Sequence, residues 1–515
     1  MSKIKILWVD DEIDLLKPHI IYLENKGYQV DTINNGHDAI EMVEKSFYDI
    51  IFLDENMPGI SGIETLNQIK RFAPSIPVVM ITKSEEENIM EDAIGGDIAD
   101  YLIKPVKPTQ VILSIKKHVQ KSEIISEKTS SAYQGKFQSL LAEINMANTY
   151  QEWINIYKKI VYWELELEKS GSNVMDDILD MQKSEANLAF GKFIKKNYTE
   201  WFKGSEKPIM SPEIFKNYVF PNLSKEYTTV FLLIDNLRYD QWKTILPNIR
   251  KYYNVEKDDL FYSILPTATQ YSRNAMFAGM MPLEIDKHFP NYWLNDDEEG
   301  GKNQYEPELL EYQMERAGID ESFHFEKIFN NKQGQKVVDN YKDLLNHKLS
   351  VLVFNFVDIL SHARTDSKMI SELAQDESAY RSLTQSWFEH SSLLELLKVL
   401  SQEKVKIVIS TDHGTIQVEE ARKVIGDKNT SVNLRYKMGK NLDYNPKEVF
   451  EIKNPSDIKL PASNLTSSYI FALNNDFLAY PNNYNHYVKY YKNTFQHGGV
   501  SMEEMLIPAI TLIPK

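Results

Sequence analysis

Asp412 and His413 stand side by side at the end of an apolar run, Ile407-Val408-Ile409, and are followed by Gly414. A β-branched run of this kind reads as a buried strand, and open α/β sheets place their chemistry at the carboxyl ends of strands. A carboxylate and an imidazole delivered together there suit Zn²⁺ or Mn²⁺. Two more runs end in the same way: Thr229–Ile234 leads to Asp235, and Val351–Val357 leads to Asp358, with His362 four residues on. His497 lies in Phe495-Gln496-His497-Gly498-Gly499, ahead of a closing strand around Leu506–Ile513. Divided between two ions, Asp235, Asp412 and His413 make one ligand set, and Asp358, His362 and His497 the other. Two metals about 4 Å apart clamp a phosphoryl group and stabilise its attacking and leaving oxygens together. Such a site also needs a nucleophile. Tyr262–Leu265 reads as a strand leading into Pro266-Thr267-Ala268-Thr269, and a metal draws a threonine hydroxyl toward the alkoxide. Each motif alone is an ordinary turn or solvated side chain; the set carries the reading. His288, His324 and His390 read as surface or packing residues.

A second constellation lies near the start. The strands Ile4–Val9, Tyr48–Leu53, Pro77–Ile81 and Tyr101–Ile103 alternate with helices Glu12–Asn25, Ser61–Phe72 and Glu85–Gly95. This period predicts a five-stranded parallel sheet covered on both faces. Asp10-Asp11, Asp54, Thr82 and Lys104 fall at its strand ends. Clustered carboxylates repel one another until a cation neutralises them, and Mg²⁺ with oxygen ligands does so. A carboxylate beside Mg²⁺ is able to accept a phosphoryl group, which Thr82 and Lys104 would then hold.

These elements require about three domains. The chain has 515 residues, 42% hydrophobic and 26% charged, enough for several cores. It lacks cysteine, which leaves Asp and His as the metal ligands. A net charge of −16 argues against a broad duplex-DNA footprint, and no helix-turn-helix pattern or basic block stands out. No signal peptide or membrane span is evident, which predicts a cytoplasmic protein. No proline occurs between Thr109 and Lys207. There Trp153, Ile156, Tyr157, Ile160 and Val161 keep helical spacing, and Ile178, Met181, Leu188, Phe193 and Trp201 mark another apolar face. A helical bundle results, broken at Ser170-Gly171-Ser172-Asn173, with its aromatic stripe as core.

The first 120 residues resemble a response-regulator receiver domain on Asp10-Asp11, Leu53-Asp54-Glu55-Asn56-Met57-Pro58-Gly59, Thr82 and Lys104-Pro105. The resemblance implies that Asp54 takes a phosphoryl group from a sensor histidine kinase. It also implies Mg²⁺ on Asp11, Asp54 and the backbone carbonyl of Asn56, with Asp10 assisting. Tyr101 matches the aromatic switch that answers Thr82. Lys83 departs from the pattern, where a small residue is commoner. From about Thr228 onward the chain resembles the PglZ branch of the alkaline phosphatase superfamily. The anchors are Asp235, Pro266-Thr267-Ala268-Thr269, Asp358 with His362, Asp412-His413-Gly414 and His497-Gly498-Gly499. The superfamily's nucleotide pyrophosphatase/phosphodiesterases use the second Thr of Pro-Thr-x-Thr, which implies Thr269 rather than Thr267. Gly279-Met280-Met281-Pro282 fits their offsets, and Asn291 stands near their phosphate-binding Asn. The order of receiver, bundle and PglZ domain resembles the PorX-type response regulators of type IX secretion. That implies a membrane sensor kinase, a secretion or gliding-motor component and a sigma factor as partners.

The expected architecture is therefore an α/β chain: a (βα)₅ receiver over 1–120, a helical bundle over 121–205, and an alkaline-phosphatase-like α/β PglZ domain over 206–515. The expected activity is a two-zinc phosphodiesterase, with Mn²⁺ as the alternative metal, acting on nucleotides or short oligonucleotides. Phosphorylation at Asp54 would control it and promote a homodimer. The competing expectation is a signalling interaction protein whose metal domain is structural.

Overall fold

The computed structural model describes residues 4–83, 98–119, 121–170, 175–204, 206–295, 298, 300–360, 376–427, 430–462 and 466–515. The expected helix Glu85–Gly95 and His362 lie outside the described residues. The chain divides into two compact units, Met1–Ala132 with Ser170–Ser172, and Tyr133–Lys169 with Asn173–Lys515.

The first unit holds a parallel sheet of β1 (Lys5–Val9), β2 (Gln29–Ile33), β3 (Ile50–Asp54), β4 (Val78–Thr82) and β5 (Asp100–Ile103), in the order β2-β1-β3-β4-β5. Side chains alternate across a strand, so the central strands feed two cores. Leu7, Val9, Ile51, Leu53, Val78 and Met80 pack on one face. Ile6, Trp8, Ile50, Phe52, Val79 and Ile81 pack on the other. The helix expected over Glu12–Asn25 is a 3₁₀ turn, Ile13–Leu16, running into helix Lys17–Asn25. Helix Gly62–Phe72 starts in a capping box of Ser61 and Glu64. Gly62 is needed there, because a Cβ would lie 2.4 Å from the Asp54 carbonyl oxygen.

The second unit is built on six strands: β6 (Thr228–Ile234), β7 (Tyr253–Tyr262), β8 (Phe323–Ile328), β9 (Leu349–Phe354), β10 (Val405–Ser410) and a C-terminal strand, Leu506–Pro514. Strands β10, β6, β9 and β8 run parallel. The C-terminal strand pairs antiparallel with β10 and with β7. The sheet order thus reads β7, C-terminal strand, β10, β6, β9, β8. β7 ends at Tyr262, where a strand was expected to begin. Its charged residues Glu256, Lys257, Asp258 and Asp259 hide an edge strand whose ladder runs along the C-terminal strand, with a bridge to Met210 on the other side at Tyr262.

Helices Tyr150–Ser170 and Asp176–Asn197 share one hydrophobic core with this sheet. The first helix buries Trp153, Ile156, Tyr157, Ile160 and Val161, as its spacing predicts. The second turns a different face inward: Leu179, Gln182, Ala186, Asn187, Phe190, Phe193 and Ile194 are buried, while Met181 and Leu188 are exposed. Its buried face contains two amides with partners, which apolar spacing does not reveal. Gln182 meets Tyr133 Oη, and Asn187 meets Glu503.

Candidate active sites

In the second unit, β10 and β6 are adjacent and parallel, so Asp412 and Asp235 emerge side by side. Asp235, Asp412 and His413 are buried, with one ligand atom from each lying within 4.8 Å of the others. Gly414 lets the chain leave closely: its N–H donates to Glu504 O at 3.2 Å, and a Cβ there would meet Glu503 O at 2.0 Å.

His413 Nδ1 faces the Gly414 carbonyl oxygen at 3.1 Å. A carbonyl only accepts, so in the neutral ring Nδ1 carries the proton and Nε2 the lone pair. Nε2 then accepts from the Thr269 hydroxyl at 3.0 Å. His497 repeats the arrangement, with Nδ1 donating to Thr267 O at 3.1 Å. The His413 and His497 rings stack with centroids 4.2 Å apart.

Thr269 opens helix Thr269–Ala278 after Ala268, with no side-chain cap, so its hydroxyl sits at the positive helix end. Thr267 is occupied otherwise: its hydroxyl donates to Gly499 O and accepts from Gly498 N, both at 3.0 Å. Of the two threonines, Thr269 faces His413. Asp358 stands in the helical turn after β9, where its carboxylate accepts from Asn236 Nδ2 at 3.4 Å. Asn291 is exposed in the turn Pro290–Tyr292. The amide that reaches Thr269 is Asn303, whose Nδ2 donates to Thr269 O at 3.1 Å.

Two residues that the motifs did not single out join these groups. Arg273, buried one helical turn past Thr269, contacts Asp412 Oδ2 through Nε at 2.9 Å and Asp235 Oδ2 through Nη2. Asn236 adopts a left-handed backbone, φ 63°. Its N–H points to Asp412 Oδ1 at 3.4 Å while its amide meets Asp358. It therefore bridges Asp412 and Asp358. Asn is the non-glycine residue that tolerates this conformation best, and the Asp-Asn pair at a strand end was the signal available. Behind this layer, Arg238 pairs with Asp240 and Glu377, and Lys183 with Glu164 and Glu377.

Burial pushes the Asp235 carboxyl well above the usual range; Arg273 opposes this, while Asp412 and Asp358 add to it. Burial pushes Asp412 the same way, but Arg273 and His413 outweigh it and hold that carboxyl low. Asp235 Oδ1 is buried without a hydrogen-bond partner among the described residues. A buried acceptor oxygen beside a second carboxylate and an imidazole is a donor set that a divalent ion fits.

In the first unit, Asp10, Asp11 and Asp54 bring carboxylate oxygens within 4.8 Å of one another, with Asp10 and Asp54 buried and Asp11 exposed. Lys104 Nζ lies 2.9 Å from Asp10 Oδ2 and 3.0 Å from Asp54 Oδ2. Burial raises the Asp54 carboxyl, against Lys104 and with Asp10. Asp54 Oδ1 is buried and has no hydrogen-bond partner among the described residues, so this all-oxygen set fits Mg²⁺. Asn56 is exposed in the turn after β3. Thr82 is buried at the end of β4, and its carbonyl accepts from Lys104 N at 2.8 Å. Tyr101 packs against the core that contains Leu53 and Met80. Lys83 forms an exposed pair with Glu12 at 3.6 Å.

Comparison with known proteins follows this division. Residues 214–512 match the family profile described as the BREX system PglZ alkaline phosphatase-like domain. The chain belongs to the PglZ family. Ahead of the PglZ domain, residues 123–202 match the PorX response regulator linker domain, and residues 6–116 the response regulator receiver domain. The architecture is that of a PorX-type response regulator: a two-component receiver joined to a phosphatase-like PglZ domain. The chain is similar to the transcriptional regulatory protein ResD of Bacillus subtilis, 39% identical over 116 residues, 22% of this chain and 48% of that one. It is also similar to ZraR of Klebsiella oxytoca, 35% identical over 137 residues, 26% of this chain and 31% of that one. The chain thus spans half or less of the length of these relatives. A CheY-like receiver structure from Methanospirillum hungatei is 24% identical with a TM-score of 0.23, covering 23% of this chain and 96% of that one. Among the described residues, no helix is long and apolar enough to cross a membrane.

Proposed function

We propose that this chain is a cytoplasmic response regulator in which a receiver (1–120), phosphorylated on Asp54 by a sensor histidine kinase, acts through a linker (121–205) to control a phosphodiesterase site (206–515). The substrates are nucleotides or short oligonucleotides. In this reading Asp235, Asp412 and His413 hold one zinc ion; Asp358 and His497, together with His362, hold the other; Mn²⁺ is the alternative metal. Bound there, the metals supply Lewis-acid stabilisation of the phosphoryl oxygens and lower the pKa of a coordinated hydroxyl. Thr269 is the nucleophile and Asn236 keeps the two ligand sets in register. Mg²⁺ belongs to Asp10, Asp11, Asp54 and the Asn56 carbonyl, with Thr82, Tyr101 and Lys104 answering the phosphoryl group.

One observation carries this reading: the Thr269 hydroxyl lies 3.0 Å from His413 Nε2, beside the carboxylates of Asp235 and Asp412. A purely structural metal site is closed and needs no hydroxyl aimed at it. A link to type IX secretion, through a secretion or gliding-motor component or a sigma factor, belongs to the same proposal and rests on the PorX-type architecture. So does a phosphorylation-promoted homodimer.

The test is hydrolysis of bis-p-nitrophenyl phosphate by zinc-loaded wild type and Thr269→Val, with metal content measured on both. Turnover should fall by at least about a thousandfold in the variant while its zinc content stays that of wild type. Equal turnover in the two proteins removes Thr269 as nucleophile. A fully metallated wild type that is inactive toward mono- and diesters alike favours the interaction-protein reading.

A further inference from the structure

Residues 478–499 contain no aspartate or glutamate, in a chain with 74 acidic residues and a net charge of −16. Helix Tyr484–Tyr491 occupies the middle of this stretch. Tyr484, Val488 and Tyr491, spaced i, i+4, i+7, pack inward on Ile416, Val418, Phe477 and Ala479. The outer face carries His486, Tyr487, Lys489 and Tyr490, with Lys492 just beyond, and all five are exposed. Tyr487 keeps 41% and Tyr490 46% of its surface open. The rings form a continuous strip: His486 stacks on Tyr490 with centroids 6.3 Å apart, and meets Tyr487 edge-on at 5.4 Å. Glu420 and Glu448 are the carboxylates whose charge acts on Tyr484, at the inner side of the helix, where Arg422 opposes them and pairs with Glu448 at 3.6 Å.

The helix is mounted on the ribbon that presents the site histidines. Ile416 and Gln417, just past His413, pair with Gln496 and Phe495, just before His497. Tyr490 is seven residues from His497, so their Cα atoms lie within about 25 Å, a span of a few nucleotides. Solvent-facing tyrosines beside lysines, with no carboxylate in the stretch, complement a strand that offers flat bases and anionic phosphates.

We propose that the outer face of helix Tyr484–Tyr491 is a base-stacking platform for single-stranded oligonucleotide. Bases flanking the scissile diester rest on Tyr487 and Tyr490, and their phosphates meet Lys489 and Lys492. The inference rests on the phosphodiesterase reading above and narrows its substrate from nucleotides in general to oligonucleotides. A duplex hides its base faces and does not fit.

Two measurements on the full-length, zinc-loaded chain test it. The first is the ratio of kcat/KM for a single-stranded hexaribonucleotide to kcat/KM for bis-p-nitrophenyl phosphate, which has no bases. Tyr487→Ala/Tyr490→Ala should lower this ratio about tenfold or more, and Tyr487→Phe/Tyr490→Phe should restore most of it. A ratio equal to wild type, or equal losses on both substrates, overturns the platform. The second is fluorescence anisotropy of the labelled hexamer with Thr269→Val protein, which does not depend on turnover. Adding the paired alanines should weaken binding by a similar factor, and Lys489→Ala/Lys492→Ala should flatten its salt dependence. Unchanged binding, or equal affinity for duplex, overturns the proposal. An inactive wild type that still binds the hexamer through these tyrosines refutes the enzymatic reading and leaves the platform standing.

Discussion

At the ends of β3 and β6 stand two carboxylate clusters, each with a cation supplied by the chain: Lys104 beside Asp10 and Asp54, and Arg273 beside Asp235 and Asp412. In each, one carboxylate gives one oxygen to that cation and leaves the other buried without a hydrogen-bond partner among the described residues, namely Asp54 Oδ1 and Asp235 Oδ1. The clusters differ in access and in donors. The first has oxygen ligands only, an exposed Asp11, and a lysine whose flexible stem lets its charge move. The second adds an imidazole, is wholly buried, and is held by a guanidinium fixed in a fork between two carboxylates. A movable cation suits a site whose charge changes when a phosphoryl group arrives and leaves. A fixed one suits a site whose geometry has to persist through turnover.

Asp54→Asn gives the sharpest separation of the two. It should abolish labelling of the chain by a small-molecule phosphoryl donor such as acetyl phosphate, while Thr269→Val is labelled as wild type. Phosphate retained on Asp54→Asn would mean that another carboxylate is the acceptor. Next come the two cations. Arg273→Met leaves buried carboxylates uncompensated and should destabilise the metal-free protein by about 3–5 kcal/mol, most of it recovered when zinc is added during thermal unfolding. Lys104→Met, at a cluster that opens to solvent through Asp11, should cost less, about 1–3 kcal/mol for the buried oxygens it leaves unpaired, recovered by Mg²⁺. Equal losses would break the contrast between fixed and movable cations.

Lys437 shows the opposite case, a buried amine with no carboxylate acting on it among the described residues. It is almost fully buried, with Nζ 4.4 Å from the Tyr480 ring centroid, and burial pulls its amine from 10.5 down to about 7. Between those values the unfolded chain holds a proton that the folded chain lacks, so this residue's contribution to stability rises with pH across that window and is flat below it. Lys437→Met should remove the slope and stabilise the protein at neutral pH by up to a few kcal/mol, read from denaturant midpoints at several pH values. A slope that persists in the variant would assign it to another group.

The strand ends were legible because uncharged runs such as Thr229–Ile234 and Ile407-Val408-Ile409 break abruptly at polar residues, and that break is local. β7 was legible only in its last residue, since an edge strand carries charges that mimic a loop. The inner face of helix Asp176–Asn197 was misread because Gln182 and Asn187 are buried by their partners and not by hydrophobicity.

The sequence by itself determined which carboxylates, imidazoles and hydroxyls reach the strand ends, because side-chain polarity and strand length are properties of short stretches. It also determined the order of receiver, PorX-type linker and PglZ segments that the family profiles match. Only the tertiary structure decided that Arg273, on paper an ordinary helix residue, neutralises Asp235 and Asp412, and that Asn236 joins Asp412 to Asp358. It likewise decided that Thr267 is consumed by Gly498 and Gly499 while Thr269 faces His413. Each of these is a contact between segments remote in sequence. Their partners are chosen by the order and register of β10, β6 and β9, which no local pattern encodes.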